Sequence, residues 1–147
     1  SDLFWMANYA QTVNVIGAIK TTGTAAEMEA TGLVLALYRR HFGTLPLRVS
    51  GAPSPLDVAA AWTADRSALT VAVVNPTAEA RTLRLDLAGA AVSGAARRLV
   101  LTGPHPLAHN APGRPRQVDV AETAVRDGGA VLESPPWSVV LHVLPSR

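Results

Sequence analysis

Leu3-Phe4-Trp5-Met6-Ala7-Asn8-Tyr9-Ala10 is an almost unbroken apolar run that stops on Gln11, with Asn14 three positions on. Strands buried on both faces read as continuous apolar sequence, so this stretch is expected to be an inner strand of a parallel barrel that delivers an amide to a pocket. A chain that opens inside a buried strand is expected to lack its beginning.

Working outward, Val13 to Ile19 stays apolar before Thr21-Thr22-Gly23 interrupts it. Thr24-Ala25-Ala26-Glu27 has the spacing of a capping box, which predicts a helix starting here. Met28, Thr31, Leu35, Tyr38 and Phe42 then recur at steps of three and four beside Val34 and Leu37. Glu27 and Glu29 stand at the acidic end, Arg39 and Arg40 at the basic end, and Gly43 as the C-terminal stop. Strand, turn and capped helix together make half of one βα repeat.

From Pro46 onward alternating runs replace helical spacing. Strands are predicted over Val58 to Thr63, Leu69 to Val74, Thr82 to Leu87, Arg98 to Leu101, Gln117 to Val120 and Ser138 to Leu144. Turn signals at Ala64-Asp65-Arg66-Ser67, Asn75-Pro76-Thr77, Gly89 and Asp127-Gly128-Gly129 have the spacing of an antiparallel sandwich. Gly103 to Arg116 carries four prolines and reads as a long loop. The fold class is therefore α/β plus all-β, with a boundary between 1–45 and 46–147.

The 147 residues are 48% hydrophobic and 16% charged, ordinary for a globular domain. Net charge is +2 and Lys20 is the only lysine, so no basic stripe suited to a phosphate backbone is present and no nucleic-acid partner is expected. The absence of cysteine excludes disulfides, thiolate metal sites and a thiol nucleophile. No signal peptide is visible and no apolar run approaches the ~18 residues of a membrane helix. No membrane partner is expected, and a cytoplasmic location is favoured.

Met6-Ala7-Asn8-Tyr9-Ala10-Gln11-Thr12-Val13-Asn14-Val15, Gly32-Leu33-Val34-Leu35 through Leu37-Tyr38-Arg39-Arg40-His41-Phe42-Gly43, Leu101-Thr102-Gly103-Pro104 with Asn110, and Pro135-Pro136-Trp137-Ser138-Val139 resemble the C-terminal third of glycoside hydrolase family 51. Its members are α-L-arabinofuranosidases. The resemblance implies the last strand and helix of a (β/α)8 barrel over 1–45, then a C-terminal jelly-roll sandwich over 46–147. It implies a retaining enzyme with two catalytic glutamates upstream of residue 1, an arabinofuranosyl oligosaccharide as substrate, and no cofactor. It also implies that the N-terminal barrel portion, or other chains, complete the enzyme, and that a homo-oligomer such as a trimer or hexamer is plausible.

Among residues present, the resemblance assigns Gln11 a sugar hydroxyl at the barrel's C-terminal face, a role an amide suits because it donates and accepts at once. Asn14 is the weaker candidate. Asn8 is expected to be a buried amide, and Trp5, Tyr9, Trp62 and Trp137 are expected to be core. Glu27, Glu29, Glu79, Glu122 and Glu133 are not expected to be catalytic, and the isolated chain is expected to be inactive. Arg39-Arg40 and Arg97-Arg98 are expected to be solvated or paired. His105 and His109 lack a third ligand nearby, so no metal is expected. Ser67 and Ser138 lack the surroundings of a serine nucleophile. The alternative is a stand-alone β-sandwich that binds carbohydrate without catalysis.

Overall fold

A computed structural model describes residues 5–125 and 131–146. Leu3, Phe4 and the expected Asp127-Gly128-Gly129 turn lie outside the described residues. In chain order the elements are β1 (Ile19–Thr21), β2 (Ala26–Met28), α1 (Ala30–His41), β3 (Leu45–Leu47), β4 (Asp57–Trp62), β5 (Ala68–Asn75), β6 (Arg81–Arg84), β7 (Ala96–Thr102), β8 (Asp119–Val125), β9 (Val131–Ser134) and β10 (Ser138–Pro145). Six strands form one antiparallel sheet in the order β3-β4-β5-β10-β7-β8. The pairs β1-β2 and β6-β9 form separate antiparallel ribbons.

Strand β10 lies at the centre, paired on one side with β5 and on the other with β7. Successive side chains on a strand point to opposite faces, so β10 supplies two cores. Leu141, partly buried Val139 and Val143, Ala72, Leu99 and Leu101 pack with Leu33 and Leu37 of α1. On the other face Leu69, Val71, Val73 and Leu144 pack with Leu132 of β9 and partly buried Leu83 of β6. Helix, sheet and ribbon thus form a β-sandwich-like domain with one helix on its outer face. Each fully buried Leu or Val contributes about 1.5–3 kcal/mol relative to exposure.

The first expected strand is absent from the described residues. No strand forms over the described residues of the opening run, and Trp5 is 99% exposed, Met6 67% and Tyr9 47%. A barrel strand takes its backbone hydrogen bonds from neighbours on both sides, and this chain supplies none. The barrel is therefore not in this chain. Trp5 and Tyr9 are not core, and Asn8 is exposed rather than buried.

The capping-box reading also fails. Thr22 Oγ1 accepts from the amide of Ala25 at 3.1 Å, and the chain turns there to form the β1-β2 hairpin. The helix begins at Ala30, where the Glu29 carboxylate caps it by accepting from the Ala30 amide at 2.8 Å. Asp, Ser, Thr and Asn are the usual caps, which hid Glu29 from the sequence pattern. The buried stripe is Gly32, Leu33 and Leu37, while Leu35 is 47% exposed. Arg39, Arg40 and His41 occupy the last turn, as the macrodipole favours, and Phe42 is the cap residue. Gly43 is required for another reason: a Cβ there would collide with the backbone of Ala61 and Trp62 in β4.

The sandwich follows the sequence more closely. Every predicted run from Val58 onward overlaps a strand, although β6 ends at Arg84 and β8 is shifted toward Val125. Trp62 packs on the ribbon-side core, whereas Trp137 stands on a turn, 37% exposed. Asp65 holds the β4-β5 turn. Hydrogen bonds to its carboxylate, first from the Thr63 hydroxyl and then from Ser67, pull its pKa down to about 2.

His142 faces the ribbon side of β10, is 2% exposed, and its Nε2 has no hydrogen-bond partner among the described residues. Burial first, and the charge of Arg98 opposite it on β7 second, lower its pKa from 6.5 to about 4. The unfolded chain then takes up this proton before the folded chain does, so stability is full above pH ~6.5 and falls as the pH drops toward ~4. The loss should reach up to about 3 kcal/mol. Urea titrations across pH 7 to 4 should show this slope in the native chain and a flatter one in His142→Leu; equal slopes would exclude His142 as its source.

Candidate functional site

The segment that carries the two candidate amides is a closed turn held by local bonds. Gln11, Asn14 and Val15 have left-handed φ values of 58°, 57° and 45°. The Ile19 amide donates to the Thr12 carbonyl at 3.0 Å, and the Asn14 amide donates to the Ile19 carbonyl at 2.7 Å. Tyr9 OH donates to the Ile16 carbonyl at 2.9 Å, and Lys20 Nζ to the Val15 carbonyl at 2.6 Å.

The two amides have different duties. Asn14 is occupied: its Oδ1 accepts from the Thr21 amide at 2.8 Å and its Nδ2 donates to Thr21 Oγ1 at 2.9 Å. Gln11 is exposed and makes no side-chain hydrogen bond with the described residues. Asn14 is thus spent on the turn, and Gln11 is the amide left available to a ligand.

The turn is anchored to the sandwich through a junction that the sequence did not assign a role. The Glu29 amide donates to the Ala18 carbonyl at 2.8 Å, while its Oε1 accepts from the Asn110 amide at 3.0 Å. Asn110 is 1% exposed. Its Nδ2 donates to the carbonyls of Met28 at 3.1 Å and Val118 at 2.7 Å, and its Oδ1 accepts from the amides of Gln117 and Val118 at 3.0 Å each. Beside it, Arg116 pairs with Glu27 at 2.8 Å and Asp119 at 3.0 Å. The Arg116 hydrogen bond is the main cause that keeps the Glu27 carboxyl below its ordinary pKa. The middle and the C-terminal end of the proline-rich loop are thereby fastened to the hairpin. Asn110 could be seen in the sequence only as part of a motif, because its partners are Met28 and Glu29, more than eighty residues away, and loop backbone groups of Gln117 and Val118 that no local pattern marks.

Every glutamate is engaged elsewhere. Glu27 pairs with Arg116, Glu29 caps α1, Glu79 pairs with Arg81 at 2.8 Å, Glu122 with Arg97 at 2.6 Å, and Glu133 lies 3.9 Å from Arg98. The Arg97 hydrogen bond also lowers the pKa of Glu122. An acid and a nucleophile for glycoside hydrolysis must face each other, ~5–5.5 Å apart in a retaining enzyme. These carboxylates are dispersed over different elements and each has a cation or an amide. No group of three His, Asp or Glu that could hold a metal occurs among the described residues. Arg39 and Arg40 are exposed.

A family model described as the alpha-L-arabinofuranosidase C-terminal domain matches residues 1–138. Among solved structures, an arabinose-bound family 51 α-L-arabinofuranosidase is 18% identical, with a TM-score of 0.87 over 99% of this chain and 25% of that one. The α-L-arabinofuranosidase from Thermotoga maritima, in an arabinose complex, is 24% identical, with a TM-score of 0.79 over 92% and 33%. The family 51 arabinofuranosidase from Xanthomonas axonopodis pv. citri is 26% identical, with a TM-score of 0.72 over 95% and 31%. This chain thus spans a quarter to a third of their lengths. No curated protein matches it.

The Asn110 junction has a measurable consequence. Asn110→Ala removes four side-chain hydrogen bonds and leaves buried backbone groups unpaired, so it should lower stability by about 3 kcal/mol. Amide exchange at residues 12–28 should quicken more than exchange in β5. A uniform effect, or none, would show that the junction does not hold the turn.

Proposed function

The chain belongs to the alpha-L-arabinofuranosidase C-terminal domain family, and from that membership we propose that it is the C-terminal part of a retaining α-L-arabinofuranosidase. The whole enzyme would remove terminal non-reducing α-L-arabinofuranosyl groups from arabinosides, arabinoxylan or arabinan. The two catalytic glutamates belong to a barrel formed by the rest of the enzyme; one protonates the leaving oxygen and the other attacks the anomeric carbon. This chain contributes the accessory sandwich and one substrate contact.

The single observation that carries the reading is the family match over residues 1–138. Two structural features support it. Trp5, Met6, Val13, Val15 and Ile16 leave 46% to 99% of their surface exposed within a dozen residues, a concentration that calls for a partner surface. Gln11 stands at the centre of this arm with its amide free. In the whole enzyme the arm packs against the barrel and Gln11 accepts from and donates to a hydroxyl of the arabinofuranosyl ring.

In this division of labour the turn from Thr12 to Thr21 sets where the Gln11 amide stands, through the paired hydrogen bonds of Asn14. Asn14 therefore acts by supporting the turn, and Gln11 by touching the sugar.

Two experiments test the proposal. The 147-residue chain should give no turnover of an aryl α-L-arabinofuranoside, and measurable turnover would overturn the placement of both carboxylates outside it. In the longer enzyme Gln11→Ala should lower kcat/KM by roughly ten- to a hundredfold with an unchanged melting temperature, the mark of a lost ligand contact. An unchanged rate would reduce Gln11 to a turn residue.

A further inference from the structure

Pro135-Pro136-Trp137-Ser138 joins β9 to β10, and Trp137 adopts a φ of 43°. A turn with proline second and a left-handed third residue ordinarily takes glycine in third place, because a side chain there is strained. Here the position holds the largest side chain instead. The strained residue is fixed from several directions. Its amide donates to the Thr77 carbonyl at 3.0 Å, and Thr102 Oγ1 donates to the carbonyls of Pro136 at 3.2 Å and Trp137 at 3.3 Å. Buried Asn75 donates to the carbonyl of Pro135 at 2.8 Å. Strain that is over-determined by its surroundings is a mark of a binding position.

Trp137 lines an open hollow of 370 Å³ together with Thr102, Gly103, His105, Pro106 and Ala108. The lining carries no carboxylate, lysine or arginine, and most of it is apolar. An ionic ligand would find no counter-charge there. His105 Nδ1 accepts from the Leu107 amide at 3.2 Å, which places the ring proton on Nε2 as a donor. An open, mostly apolar hollow that has a tryptophan and a histidine N–H donor among its lining residues suits a ligand whose one side is C–H and whose edge is hydroxyl.

We propose that this hollow binds one pyranose ring of a neutral oligosaccharide, the Trp137 indole covering the sugar's C–H face and His105 Nε2 donating to a hydroxyl. The proposal concerns binding by the sandwich itself and goes beyond the assignment of the chain to a glycosidase, so loss of either leaves the other standing.

The test is an NMR titration of the full chain with xylotetraose up to about 20 mM, well above the millimolar Kd typical of a weak contact. The Trp137 indole N–H signal should shift and saturate, while those of Trp5 and Trp62 stay in place. Trp137→Gly suits the turn and should keep the backbone spectrum while weakening binding at least about tenfold. His105→Ala should weaken it severalfold, and Trp137→Phe should retain part of it even if the glycine variant fails to fold. An unmoved Trp137 signal overturns the proposal. So does undiminished binding by a folded Trp137→Gly chain, or saturation by an apolar peptide in place of the saccharide.

Discussion

The rest of the structure depends on one constraint: strand β10 is paired along both edges and apolar on both faces, so it must be covered twice. Val140, Leu141 and Leu144 are fully buried, and they point to opposite sides of the sheet. A single sheet cannot satisfy them. The helix closes one side with Leu33 and Leu37, and the β6-β9 ribbon closes the other with Leu132 and Leu83. His142, in the middle of the same strand, is the one polar group this arrangement buries on β10 without a partner for its Nε2. The neutral imidazole is tolerated there because burial and Arg98 both disfavour its charged form.

The helix that covers this core also governs the arm. Its first turn is fixed by Glu29, whose carboxylate serves two masters, the Ala30 amide and the Asn110 amide. The β1-β2 hairpin sits directly before it, with Gly32 of the helix close enough to Ala18 and Met28 that no Cβ would fit. From the hairpin, Thr21 reaches back to Asn14 and closes the turn that ends on Gln11. A chain of hydrogen bonds and short segments thus runs from Val118 beside β8, through Asn110, Glu29 and Thr21, to Asn14, three residues from the exposed Gln11. The path consists of short polar contacts rather than a packed core, and it keeps the arm in place while leaving its apolar side chains uncovered.

How much of this could be read in the sequence depends on the range of the interactions involved. Strands β4, β5, β7 and β10 were legible because alternation is a local signal and each lies in the sheet whose faces impose it. β1, β2 and β3, three residues each, are too short to show a period. The opening run departs from its pattern for a different reason: an apolar stretch reports that its side chains need burial, not that this chain supplies it. Thr24 to Glu27 matches a capping box, yet the helix starts at Ala30 with Glu29 as its cap, held by tertiary bonds to Ala18 and Asn110. Of the two candidate site residues, Gln11 came from motif likeness and stands free, while Asn14 is used by Thr21, a pairing no local pattern signals. Trp137 reads as core because tryptophan usually is; the turn that carries its positive φ is held by the Trp137 amide donating to the Thr77 carbonyl and by hydrogen bonds from Thr102 and Asn75.

The contrast between the arm and the sandwich weighs against a stand-alone carbohydrate-binding sandwich. A domain that functions alone has every reason to bury or replace large apolar side chains at its surface, and the central strands β5 and β10 do so: Leu69, Val71, Val73, Val140, Leu141 and Leu144 are all buried. The same chain leaves Trp5, Met6, Val15 and Ile16 more than 60% exposed. The polar contacts of Asn14, Thr21, Glu29 and Asn110 tie the turn beside that arm to the helix and to the loop at Val118. An apolar, uncovered arm with a free amide fits the proposed role, in which its partner surface lies in another part of the enzyme, better than a module that works alone.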